Sequence, residues 1–197
     1  MHAKIRRRRS APKRPPRPPI SQPQRLRKYS DEHLAYEVQQ LLLAAGCGQV
    51  QFEGPGAPFG EFLNNARVEA FALHLRNLIV FLYPERFPLQ RDDISAHHFL
   101  SSRSAFPDWI RHRPGLSPAL ARAKRRADRE IAHLTAARIA GTRQAKNWQI
   151  TDLVRELAKV LAVFLDRADP ERLGARARAE IGQAIALATA AGSPEAT

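Results

Sequence analysis

A histidine titrates close to neutral pH and can take a proton from a hydroxyl, while an arginine can hold a phosphate through two parallel N–H donors. The stretch 125–138, RRADREIAHLTAAR, supplies both types. Arg126, Glu130 and His133 fall at i, i+4 and i+7, on one face of a helix, with Arg122 and Arg129 nearby. Such a group could deprotonate an RNA 2′-hydroxyl and steady the charge on the attacked phosphate without a metal. The competing reading makes His133 a capping or packing residue at a helix contact.

Other chemistry has less support. DDISAHH offers Asp92, Asp93, His97 and His98 as oxygen and nitrogen ligands. If Ser95 or Asp93 caps a short helix, however, the adjacent histidines diverge by about 100°. The two aspartates are then explained as helix-start residues, and no metal site or cofactor is assigned. The single Cys47 excludes an intramolecular disulfide and suits a reducing, cytoplasmic setting. There is no GxSxG, HExxH, Walker sequence or Cys–His pair. Trp109 and Trp148 are expected to anchor the core.

Helices must position these residues, since no segment alternates apolar and polar side chains over a useful length. The clearest is EFLNNARVEAFALHLRNLIVFLYP, in which Val68, Phe71, Leu75, Leu78 and Leu82 recur at three- and four-residue spacing, widened by Ala72 and Ile79. Polar lines flank that stripe: Glu69 with Arg76, and His74 with Asn77. A preceding helix, YSDEHLAYEVQQLLLAAG, has Ser30 as N-cap, acidic Asp31 and Glu32 in its first turn, a Tyr29–Leu34 staple and Gly46 as its stop. Between the two lies a glycine- and proline-rich loop. Residues 85–116 read as loop with two short helical turns, broken by Pro88, Pro107 and Pro114. A third long helix opens at Ser117-Pro118 and runs to Gly141, burying Leu120, Ala127, Ile131 and Leu134. The fourth presents Ile150, Leu153, Leu157, Leu161 and Phe164, and a last one starts at Asp169-Pro170. The expected fold is an all-α antiparallel bundle of about four to five helices over 29–192, with 193–197 frayed.

The net charge of +13 has an uneven source. Residues 1–28 hold 11 of the 32 lysines and arginines, none of the 19 acids and six of the 15 prolines, so the remainder is nearly neutral. Too few apolar groups are present there to offset ordering entropy, and a disordered basic arm is expected. Its phosphate-binding candidates are Arg6, Arg7, Arg8, Arg9, Lys13, Arg14 and Arg17, contacting RNA or another polyanion without reading its sequence. The alternative is a solvated extension or an upstream start site. No apolar run approaches the roughly 20 residues of a membrane span.

An arginine followed by a histidine a few helical residues later resembles the R-x4-6-H pattern of the HEPN superfamily, small α-helical bundles that include metal-independent ribonucleases of toxin–antitoxin and phage-defence systems. Arg126 and His133 match the outer limit of that spacing, and IAHLT resembles the histidine region of some members. The likeness covers about residues 60–165. Ala127 departs from the Asn, Asp or His often found after the arginine; the Arg76-Asn77 pair stands on a different helix. The resemblance implies His133 as general base and Arg126 as phosphate clamp. Arg76, Asn77, Glu69 and Glu130 would line a cleft built across a homodimer, and a protein antitoxin would be a partner. A noncatalytic helical module that binds itself or a partner, with the arm holding a polyanion, is the second expectation.

Overall fold

A computed structural model of the chain describes residues 22–46, 57–84, 93–101, 104–131 and 147–190. Every regular element among them is helical. Helix α1 (Pro23–Tyr29) continues through a π-turn (Ser30–Leu34) into α2 (Ala35–Gly46). After these come α3 (Ala57–Leu82), a 3₁₀ turn (Ala96–Phe99), α4 (Ala105–His112) and α5 (Pro118–Arg126) with a second π-turn (Ala127–Ile131). Helices α6 (Ile150–Arg167) and α7 (Ala175–Ala190) complete the described set. Taken as continuous rods these make six, one above the expected range, the addition being the short α4.

Helicity begins at Pro23, inside the stretch expected to be arm. Proline suits a first helical position because its missing N–H would have no partner there, and fully buried Leu26 fixes this turn to the core. Ser30 is therefore not an N-cap, and there is no helix start for Tyr29 and Leu34 to staple. Ser30 is buried, donates its hydroxyl to Arg27 O (2.8 Å) and accepts from Gly174 N (2.9 Å). The π-turn turns Asp31 toward the start of α7, where its Oδ1 accepts from the N–H of Arg176 (2.9 Å) and Ala177 (3.2 Å).

Helix α3 starts at Ala57, in what reads as the end of a loop, and its apolar stripe forms the centre of the core. Phe71, Ala72, Leu75, Leu78, Ile79 and Leu82 are buried, with Val68 packed at the margin. Each large side chain removed from water contributes about 1.5–3 kcal/mol. Helix α2 packs on both α3 and α7, α6 on α7, and α5 on both α3 and α6, so the helices close around that stripe. The C-terminal end of α3 is held by α4. The Leu82 carbonyl accepts from Trp109 Nε1 (2.8 Å) and Arg113 Nη1 (2.7 Å), while Tyr83 donates to Pro114 O (2.8 Å). Pro107 does not break α4; it occupies the first turn, where no N–H is missed.

Ser117 caps α5 as expected, accepting from Leu120 N (3.3 Å). The continuation from 132 toward Gly141, including Leu134, lies outside the described residues. The last helix starts at Ala175 rather than at Asp169. Asp169 instead organises the preceding turn: its carboxylate accepts from Glu171 N (2.9 Å), and its own N–H donates to Phe99 O (2.8 Å).

Candidate functional site

Arg126 projects from the last turn of α5 toward the start of α6. Its guanidinium carbon lies 4.4 Å from the centre of the Trp148 ring, Nε donates to Glu130 Oε2 (2.8 Å) and Nη1 donates to Asn147 O (3.1 Å). Trp148 is itself set edge-on against fully buried Phe71, with ring centres 6.3 Å apart. The core thus fixes the indole and the indole fixes the arginine. This assembly borders an open groove of about 340 Å³ between α5 and α6. Ala119, Ala123 and Leu153 give the groove an apolar floor, and Arg122, Gln149 and Asp152 give it a polar rim. Asp152 is paired with Arg155 (2.8 Å).

The other expected site residues do not join this groove. Asp128 follows Arg126 by two residues, which places it on the opposite side of a helix. There it receives hydrogen bonds from Arg76 of α3 and from Lys124 (2.8 Å). Partial burial works against ionising Asp128, but those hydrogen bonds and the two positive charges outweigh it and hold the carboxyl below its ordinary range. Glu69 is exposed, and Arg76 turns to Asp128 rather than to it. Asn77 faces α2, donating Nδ2 to both oxygens of Glu37 at 3.3 and 3.2 Å. His74 Nδ1 sits 2.8 Å from Glu37 Oε2.

Arg76, Asn77, Glu37, His74, Asp128 and Lys124 therefore join α2, α3, α5 and the second π-turn in a polar belt. The sequence reading missed Glu37, for a lone glutamate on a helix carries no spacing signal to a residue far away in sequence.

His97 and His98 do not diverge as expected. Their rings lie 4.1 Å apart at 33°, drawn together because each engages Ser95. Ser95 Oγ is 2.7 Å from His97 Nδ1, and Ser95 N donates to His98 Nδ1 at 3.1 Å. Burial, then the neighbouring His98, depress His97 to about 4. His98 is lowered too, chiefly by burial, with Arg172 adding to the effect against its backbone contact at Ser95. Among the described residues no group of three or more His, Cys, Asp or Glu is placed to hold a metal ion. Nor is any helix among them long and apolar enough to cross a membrane.

His133 and the arm residues Arg6, Arg7, Arg8, Arg9, Lys13, Arg14 and Arg17 lie outside the described residues, as does Asp92. No family model matches the chain, and neither a curated protein nor a solved structure matches it.

Proposed function

We propose that this chain is an RNA-binding helical protein whose basic N-terminal segment grips phosphates and whose bundle anchors that segment. The carrying observation is charge segregation: 11 of 32 basic residues and no acid fall in residues 1–28. Helix α1 continues the pattern, with Arg25, Arg27 and Lys28 exposed around buried Leu26. The test is binding of a labelled single-stranded RNA across a salt series, with and without residues 2–21. The full chain should show a steep fall in affinity with salt, by about 0.7 logarithmic units per phosphate contact for each tenfold rise in salt, and the truncated chain a weaker and flatter response. Equal affinities and slopes would reject this reading.

Binding is favoured over cleavage because Arg126 is already held by Glu130, Asn147 and Trp148. To clamp a scissile phosphate as the HEPN resemblance implies, it would have to leave that arrangement. Cleavage in EDTA leaving 2′,3′-cyclic phosphate ends, lost in His133→Ala, would reverse the preference and make His133 the base.

A self-associating module, the second reading, has its own observation. Phe59 and Phe62 stack on α3 with ring centres 6.3 Å apart, both more than half exposed. Sedimentation of the protein and of Phe62→Ser tests it: a dimer lost in the variant supports this reading, and a monomer in both removes it.

A further inference from the structure

We infer that the outward ridge of α5, carried by Arg122 and Arg125, is a second phosphate-binding surface for single-stranded RNA, held on the folded bundle. This rests on the RNA-binding reading above and assigns the place where the bundle itself meets the strand.

The ridge follows from how one helix uses its charges. Residues 118–131 hold five cations, Arg122, Lys124, Arg125, Arg126 and Arg129, against two acids, Asp128 and Glu130. Both acids are occupied: Asp128 accepts from Arg76 and Lys124, and Glu130 accepts from Arg126. Arg122 and Arg125 are exposed, and neither makes a hydrogen bond or ion pair among the described residues. Arg129, exposed a turn further on, adds a third positive charge to the line and is not required as a contact. Like charges this close on a helix repel one another, and a row of phosphates relieves that repulsion.

Helix α6 shows the contrast. Its three acids match its three cations. Asp152 is held by Arg155 at 2.8 Å and Glu156 by Lys159 at 2.5 Å, so these carboxylates carry their own counter-ions and do not quench the ridge.

Positions 122, 125 and 129 fall at i, i+3 and i+7 on one face and span about 10 Å of helix axis, about three phosphate steps along a strand. The opposite face is anchored, with Leu120, Ala123 and Ala127 buried and Ser117 capping the first turn. Binding at the ridge therefore orders two arginine stems and no backbone. Joined to the N-terminal cations in one chain, it raises affinity by bringing a second contact to a strand already held.

The experiment measures binding of a labelled single-stranded RNA to the full chain across a salt series. The chain carrying Arg122→Gln with Arg125→Gln is compared with one carrying Lys159→Gln with Arg167→Gln, which removes the same charge from exposed positions on α6. Two lost phosphate contacts should lower the slope of log affinity against log salt by about 1.4, and weaken binding about tenfold at 0.15 M salt. The α6 variant should keep the parent slope. None of the four side chains is buried, so circular dichroism should show the parent helix content in both variants.

A parent slope in the α5 variant, or an equal loss in both variants, overturns the ridge. If deletion of residues 2–21 still weakens binding in that case, the arm reading stands without it. A full chain that binds no RNA removes both.

Discussion

Asp31 closes the first turn of α7 directly over Gly174: its carboxylate accepts from Arg176 and Ala177, and a Cβ on residue 174 would fall 2.1 Å from that same carboxylate. Glycine is required here by proximity. A methyl group at 174 would push out the carboxylate and with it the cap. Gly174→Ala and Asp31→Ala should therefore each cost about 1–2 kcal/mol, the usual worth of an N-cap. Because both remove one interaction, the double variant should lose much less than the sum. Urea unfolding of the four proteins measures this, and full additivity would contradict it.

Asp128 is the counter-ion shared by Arg76 and Lys124, and the Lys124 side chain is only 13% exposed. Asp128→Asn should cost about 1–2 kcal/mol, more than an ordinary surface pair, since two partly desolvated cations lose their partner. The folded carboxyl titrates below its ordinary value, so its contribution is complete above the unfolded pKa near 4 and disappears as pH falls through the folded one. Stability measured from pH 6 down to 2 should drop more in the parent than in Asp128→Asn over the acid end.

His97 acts through the opposite charge type, and its sign differs in origin. Its folded pKa is depressed to about 4, whereas the unfolded imidazole takes its proton near 6.5. Between those values the unfolded chain binds more protons, so stability is complete above pH 6.5 and declines toward pH 4. The ring is only half-buried beside Ser95 and Phe106, and solvent screening reduces the loss to about 1 kcal/mol. His98, stacked beside it, is the titratable group that adds to the effect of burial. His97→Gln should flatten the stability curve in that window, and a parent curve already flat there would contradict the assignment.

Trp109 joins the end of α3 to the core, fully buried against Phe164 with ring centres 6.0 Å apart and hydrogen-bonded to Leu82 O. Trp109→Ala should cost about 3–5 kcal/mol, as expected for truncating a large buried aromatic. Trp109→Phe should cost far less, because Arg113 still donates to the same carbonyl. Thermal unfolding of the two variants distinguishes a packing anchor from a replaceable donor.

Periodicity made the interior legible in the sequence: the α3 stripe and the Ser117 cap occupy their expected places because each depends on neighbours within a turn or two, and both tryptophans are buried as their large apolar rings suggest. The start at Pro23 was obscured by composition, since arginine- and proline-rich residues surround the single leucine that anchors it. Ser30 and Asp31 have cap-forming chemistry, and they do cap a helix, but one reached only through the tertiary fold. The candidate site divided for a related reason. Arg126 and Asp128 are near in sequence yet face opposite sides of their helix, so Arg76 and Asn77 were drawn into the polar belt with Asp128 and Glu37, while Arg126 turned to Trp148.

The joint between the first π-turn and α7 also has a consequence for synthesis. A ribosome releases Ser30 and Asp31 well before it makes the residues they cap, and domains tend to assemble from the N-terminus as they emerge. Until Gly174 to Ala177 appear, the π-turn has neither of its distant partners, and α2 lacks α7, one of the helices it packs on. Completion of the bundle is therefore tied to arrival of its last helix, and a nascent chain stalled before α7 leaves the Asp31 carboxylate without the amides it is shaped to receive.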